Sequence, residues 1–527
     1  MSDTAPASES LFSPTDLAMA VHRVRDATHI VQGPGGAVGV GFGPGPDPAC
    51  TWLGTLPPLY PEWLGDRSFQ EAHGTRFAYI AGAMANGIAS TDIVIAMAKA
   101  GCIGFFGAAG LPETRVSAAI DQIQSVLGRA DDGGLPHGFN LIHSPQEPEL
   151  EGAVADLYLR RGIRRVSAAA YMGLTPWIVR YAVSGLRRTP DGRIQRQNHV
   201  FAKISRPEVA RRFLAPAPPE LLAQLVRDKL ISLQEAELAK SVPIAEDVTM
   251  ESDSGGHTDN QPLGALLPIL LRLRDDMVRQ HGYTRPIRIG AAGGLGTPNA
   301  VASAFALGAA YVLTGSVNQA SLEAALAPHA KEMLCKADSA DVAMAPAADM
   351  FEMGVEVQVL KRGTLFASRG HKLRDVYRSY AGLKDIPPDE RAKLERDIFK
   401  DTLENVWANT EKFFAERDPK QLNRAKADEK HRMALVFRSY LGQSSRWAIA
   451  GAPDRVMDYQ IWCGPAMGSF NQWVKGTFLE PASGRTVTQI ALNLLEGAAV
   501  ITRCGQLRSY GVPIPAEAWD FRPRMLA

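Results

Sequence analysis

The chain has 527 residues, more than one compact core accommodates, so two or three units are expected. Hydrophobic residues make up 46% and charged residues 21%, the balance of an ordinary globular protein. The formal net charge of +1 supplies neither the basic field that nucleic acid binding draws on nor an acidic field for cations.

In chain order, residues 1–10 are polar and expected to fray. No basic segment followed by an apolar core opens the chain, so no secretory leader is expected. Five scattered cysteines without a CxxC pair fit reduced thiols and a cytoplasmic setting. Apolar runs such as Gly264–Leu271 are too short to span a membrane. Residues 30–66 are dense in glycine and proline, which bars persistent helices and suggests a small irregular or β-rich module over 1–75.

From Phe77 short apolar runs alternate with amphipathic helical stretches. The strand candidates are Phe77–Ala83, Cys102–Phe106, His137–Leu141, Arg165–Ala169, Val200–Ile204, Ala245–Met250, Pro286–Gly290 and Tyr311–Thr314. Between them Thr91–Ala100, Pro112–Leu127, Glu147–Arg161, Gly264–His281 and Thr297–Leu307 read as helices. Eight strands with crossover helices predict an α/β fold, a TIM (β/α)8 barrel over 76–335, with an open doubly-wound sheet as the alternative. No GxGxxG follows any of these strands, which weighs against a Rossmann domain. Pro207–Lys240 reads as a two-helix insertion that either shapes the barrel mouth or is a surface ornament. Residues 336–527 are expected to form a mainly helical substrate or lid region, with Pro388–Phe414 as one long amphipathic pattern and Thr486–Arg508 as a helix returning to the barrel.

Three strand ends carry glycine. In Glu251-Ser-Asp-Ser-Gly-Gly-His257, the Ser254-Gly255-Gly256 turn lets backbone N–H groups approach a phosphate, the helix beginning near Leu263 presents its positive end, and His257 projects from the mouth. A tight turn with an exposed histidine is the plainer reading of that segment alone. Ala292, Gly293 and Gly294 end the seventh strand, and Thr314, Gly315 and Ser316 the eighth. Consecutive glycine-rich ends here fit a mononucleotide phosphate, although glycine also simply permits short turns. At the first strand, Ala83 and its small neighbours leave room for a flat ring, with Met84 beneath it and Asn86 at its edge. Asn140 closes the third strand, where it could meet a ring carbonyl. Lys203 closes the fifth, as a cation facing the ring or as half of a rim salt bridge. No HExxH or paired His/Cys cluster suggests a metal, no GxxxxGK[ST] suggests nucleotide hydrolysis, and Gly442-Gln-Ser-Ser-Arg446 misses the GxSxG elbow of an acyltransferase.

Together AGAMANGIAS, GFNLIHSP, ESDSGGHTDN, AAGGLGT and LTGSVNQ resemble the PfaD family, the trans-acting enoyl reductases of polyunsaturated fatty acid synthases and trans-acyltransferase polyketide synthases. KRGTLFASRGHKLRDVYRSY, FRSYLGQSSRWA and DYQIWCGPAMGSFNQWVKG extend the resemblance to the C-terminal half and separate the chain from nitronate monooxygenases, which share only the barrel motifs. The resemblance implies FMN in the barrel, NADPH as hydride source and an acyl carrier protein that presents the enoyl thioester on a phosphopantetheine arm. It implies a stand-alone reductase with no fused acyltransferase. It places His257 beside the flavin, as a candidate for donating to the thioester oxygen or to the α-carbon, with solvent as an alternative proton source; a cation at Lys203 would stabilise the ring's N1–C2=O locus when reduced. His143 is a second candidate for donating to the thioester oxygen or to the α-carbon. A nitronate monooxygenase-like oxidase and a non-catalytic synthase component are the alternatives. Nothing in the sequence fixes the oligomeric state; a homodimer is one compatible assembly.

Overall fold

The computed structural model describes residues 9–143 and 148–527. Its centre is a closed barrel of eight parallel strands: β1 Tyr79–Ala81, β2 Ile103–Phe106, β3 Gly138–Ile142, β4 Arg165–Ala169, β5 His199–Ile204, β6 Asp247–Glu251, β7 Arg288–Ala292 and β8 Val312–Thr314. All eight expected strands are present, and β8 pairs with β1 to close the ring. The open-sheet alternative is thereby excluded. The strands are buried nearly throughout, as a parallel sheet wrapped in helices requires. Several of those helices begin where the side chain of Ser90, Thr175, Thr297 or Thr486 accepts a hydrogen bond from the backbone N–H three residues on.

The eighth surrounding helix comes from far along the sequence. Val487–Ser509 packs against Pro298–Ala306 and Thr91–Lys99, the helices that follow β7 and β1. The intervening residues leave the barrel after β8 and form a lobe over its mouth. This lobe contains helices Phe366–Ser379, Leu403–Arg417, Pro419–Ala427 and Glu429–Ala450. It also contains an antiparallel sheet in which Glu356–Leu360 lies between Val342–Pro346 and the two residues Gly256–His257 of the β6 loop. The long pattern expected over Pro388–Phe414 is broken. A helix turns π-helical over Leu394–Phe399, Lys400 adopts φ +56°, and Thr402 caps a new helix.

The N-terminal module is an antiparallel sheet, ordered Glu9–Leu11, Val38–Phe42, Thr28–Gln32 and Thr51–Leu56. The fraying expected through residue 10 therefore does not extend to Glu9 and Ser10. The module is tied to the last helix by Arg25, which donates twice to Glu496 at 2.7 Å. The 207–240 insertion contains three helices rather than two, Pro207–Leu214, Pro219–Arg227 and Leu233–Ala239. It does not reach the mouth. The chain turns back at its first helix, and the amides of Ile244 and Ala245, just before β6 begins, donate to Ala215 and Phe213. The later helices thus sit at the barrel's N-terminal end.

That end is sealed by helix Arg67–His73. Phe69 stacks on Tyr311 at 4.7 Å, and His73 bonds Asp247 through Nε2 at 3.1 Å. Arg288 donates to both Asp247 oxygens at 2.6 and 2.9 Å. His73, His199 and Asp247 are spaced as metal ligands are. Because the Asp247 oxygens are already held by a guanidinium, the trio reads as a compensated charge cluster. Burial holds both histidines below the ordinary imidazole range, His199 well below it, so they fold neutral.

The lobe is locked to the mouth by a backbone contact. A Cβ on Gly255 would lie 2.8 Å from the Cys463 nitrogen, and one on Gly464 would lie 2.8 Å from the Gly255 nitrogen. Gly255→Ala should accordingly destabilise the protein by about 1–3 kcal/mol, read as a lower denaturation midpoint. The neutral histidines make stability depend on pH. Below pH ~6.5 the unfolded chain protonates His73 and His199 while the folded chain does not. Stability is therefore fully present above that pH and falls as pH drops, by up to about 1.4 kcal/mol per pH unit per histidine. His199→Asn should reduce the slope, measured by denaturation between pH ~7.5 and ~5.5.

Candidate active site

The C-terminal strand ends open into one cavity of about 840 Å³ roofed by the lobe. Every residue singled out from the sequence lines it. β1 contributes Ala83, Met84 and Asn86; β3 contributes Asn140 and His143; β5 contributes Lys203. The β6 loop contributes Ser254, Gly255, Gly256 and His257, β7 contributes Ala292, Gly293 and Gly294, and β8 contributes Thr314, Gly315 and Ser316. The last two residues of the GFNLIHSP motif lie outside the described residues.

The glycine ends differ in their duties. Gly255 and Gly293 are packed against protein backbone. At Gly294 and Gly315, by contrast, an added Cβ would meet no protein atom within 4 Å, and both residues face the cavity. A short 3-10 turn, Ser316–Asn318, starts directly after Gly315. The helix after β6 begins at Leu263, six residues past His257, and does not line the cavity. Its positive end therefore does not serve the site as the sequence suggested. Gly256 and His257 instead form a short strand that pairs His257 with Val357.

Lys203 lines the cavity and also forms a rim salt bridge. Its Nζ lies 2.7 Å from Oε1 of Glu251, which also accepts from the Ser254 hydroxyl at 2.8 Å. Asn140 directs its amide to the backbone, accepting from Ala109 N–H and donating to Ser167 C=O, both at 3.2 Å. Asn86 sits at φ +58°, a conformation asparagine tolerates, and donates to the Ser445 hydroxyl of the roof at 3.4 Å.

Both histidines have carboxylate partners. His257 Nε2 lies 3.4 Å from Asp349 Oδ1. Burial raises the Asp349 carboxyl's affinity for a proton, but the hydrogen bond and charge of His257 outweigh it and hold the group below its usual range. His143 Nδ1 is 2.8 Å from Glu151 Oε2, and its ring stacks on Tyr171 at 5.4 Å. Glu151 also accepts from Tyr171 at 2.9 Å and from the Thr175 hydroxyl. Gln319 of the cavity wall donates to Trp462 C=O, while its buried Oε1 has no partner among the described residues. Sequence reasoning passed over Glu151, Glu251, Gln319 and Asp349. Of the three acids, only Glu251 lies within a motif that carried a signal.

Residues 380–459 match a family model described as the inserted helical domain of [acyl-carrier-protein] S-malonyltransferase. Across 453 residues, 85% of this chain, the sequence is 46% identical to one of the polyunsaturated fatty acid synthase proteins of a Thraustochytrium species, covering 30% of that protein. It is 42% identical over 440 residues, 84% of the chain, to polyketide biosynthesis protein PksE of Bacillus subtilis, covering 56% of it. The chain thus spans about a third to a half of these curated relatives. Among solved structures, the enoyl reductase domain of MlnA, from the macrolactin biosynthesis cluster of Bacillus amyloliquefaciens, superposes with a TM-score of 0.80 at 37% identity, covering 85% of this chain and 99% of that domain. With that domain matched along its whole length, and with the motifs of both halves present, the chain belongs to the PfaD family of enoyl reductases from polyunsaturated fatty acid and polyketide synthases.

Proposed function

We propose that the protein is an FMN-dependent, NADPH-oxidising enoyl reductase. Its substrate would be an α,β-unsaturated thioester carried on an acyl carrier protein of such a synthase. The observation that carries this reading is the convergence of glycine ends and two carboxylate-held imidazoles on one cavity of about 840 Å³. That volume lies in the upper part of the range of about 300–1,000 Å³ usual for small-molecule sites, with room for an acyl group beside a cofactor. Similarity to the MlnA enoyl reductase domain supports the reaction class. Similarity to synthase proteins supports a carrier-bound substrate. No helix among the described residues is long and apolar enough to cross a membrane.

The residues present fit FMN. Gly294 and Gly315 leave their main chain open to a phosphate, where the first amides of the 3-10 turn can donate to it. Met84, Ala83 and the β3 end offer a flat wall for the ring, and the lone Gln319 oxygen offers an acceptor. The chemistry such a group supplies when bound is hydride relay between NADPH and the substrate β-carbon. His257 lines the cavity, and its role in this reading is to bond the thioester oxygen as negative charge gathers on it, with Asp349 3.4 Å away to hold the ring. Phe413, Phe414 and Trp447 of the roof line the cavity, where they would limit water around the reacting carbons.

The test is an anaerobic spectrum of the purified, FMN-reconstituted protein. NADPH should bleach the flavin band and a crotonyl thioester should restore it. A protein that takes up no flavin, or one bleached by NADPH and indifferent to enoyl thioesters, would end the proposal. Two variants refine it. Gly315→Val should fold normally but weaken FMN binding about tenfold or more, equivalent to losing one good hydrogen bond. His257→Ala should keep FMN yet slow reoxidation by the thioester about 10²-fold, measured by stopped flow.

A further inference from the structure

Hydride arriving at the β-carbon leaves an enolate, which needs a proton at the α-carbon. Resting on the function proposed above, we infer that His143 donates this proton and that Glu151 is its positioning residue. Glu151 is 3% exposed, on helix Pro148–Arg161 behind the β3 end. A carboxylate only accepts hydrogen bonds. Three groups converge on this one: the Tyr171 phenol, the Thr175 hydroxyl and Nδ1 of His143. Burial, together with the Glu151 charge, pushes the Tyr171 phenol well above its ordinary pKa, so it remains a donor to Glu151. Nδ1 of His143 therefore carries a hydrogen directed at Glu151, and a second proton on the ring can sit only at Nε2.

The ring lines the cavity and is 21% exposed, whereas the Glu151 side chain, which borders the same cavity, is 1% exposed. With Nδ1 turned to the buried carboxylate, the edge left for a ligand carries Nε2. Tyr171 stacked on one face holds the ring plane. Hydride forms the β-C–H bond and the C=C pair moves onto the thioester oxygen. The enolate pair then takes the proton from Nε2, the thioester carbonyl re-forms, and His143 regains a proton from solvent. A network serving only to hold helix Pro176–Val183 through its Thr175 cap would not need an imidazole on its cavity side.

The experiment separates this step from flavin reduction. With holoenzyme and crotonyl thioester in D2O, wild type should place one deuterium at the α-carbon in a single configuration. His143→Ala should accept hydride from NADPH at the wild-type rate but reoxidise about 10²-fold more slowly. It should also scramble the α-configuration, and added imidazole should restore part of the rate. Glu151→Gln should lower kcat more than it changes KM. In the flavin-free protein it should remove the downfield Nδ1–H resonance of His143, a readout independent of turnover, while the dispersed amide signals of the same spectrum report that the variant folds. Wild-type reoxidation rate and a single α-configuration in His143→Ala would overturn the proposal alone. An absence of reoxidation in wild type would instead strike the enoyl reductase reading beneath it.

Discussion

The site depends on the strip Trp462–Gly464 being threaded into the barrel mouth. Gly255 and Gly464 meet backbone to backbone at distances no side chain would permit. Around that contact the Gly464 N–H donates to Ser316 Oγ at 3.1 Å, Gln319 donates to Trp462 C=O, and Cys463 N–H reaches Gln358 C=O at 3.3 Å. Gln358 in turn donates to Asp253 and to Ser254 C=O at 2.7 and 2.8 Å. The loops after β6 and β8 are thus held by one segment that lies far beyond the end of β8 in the sequence. His257 gets its direction from this arrangement, since it is a strand residue paired with Val357 and not the tip of a free loop. A site assembled this way is preorganised by secondary structure, which places groups more accurately than mobile loops do.

The roof is attached unevenly. Along the strip and the sheet it shares backbone hydrogen bonds with the barrel. On the β3 side the long helices approach through groups such as Lys420 and Glu149, 3.9 Å apart and both well exposed, and an exposed pair of that kind adds little. The two ends of the barrel also divide the electrostatics. At the closed end Arg288 and Asp247 compensate one another in a dry interior, with neutral His73 hydrogen-bonded to the same carboxylate. At the open end Lys203–Glu251, His143–Glu151 and His257–Asp349 pair each basic group with its own acid, so direction matters there more than net charge.

The barrel is legible in the sequence because its strands are short apolar runs set between helical periodicities. Arg165–Ala169 coincides with its expected bounds, and the others shift only slightly at most ends. What the sequence does not encode locally is which end of the barrel an insertion occupies, hence the misplacement of 207–240. Nor does periodicity register a change of helix axis. Leu394–Phe399 keeps its apolar spacing while winding as a π-helix into the break at Lys400. The glycine ends are legible because few residue types serve there. Their partners are not. Glu151 reads as an ordinary acid in a helix's first turns, a common dipole complement, and Asp349 sits in a segment with no pattern. Lys203 has two readings, and the acid that supplies the salt bridge, Glu251, is brought to it only by the tertiary fold.

The match of residues 380–459 to a helical insert known from a malonyltransferase family bears on how such a chain divides its work. The GxSxG elbow is absent, so the shared part is the cover and not the nucleophile. A helical cover contributes aromatic side chains and a wall against solvent, which any chemistry on a tethered acyl group needs, whereas the reacting groups come from the domain beneath. In the proposed enoyl reductase those groups are backbone amides and imidazoles at the ends of parallel strands. Substrate length and branching should therefore be governed by roof residues such as Thr410, Phe413 and Trp447, while the reaction class is governed by the strand ends. On this division, the roof can diverge among relatives without disturbing the chemistry, provided the Gly255–Gly464 contact is kept.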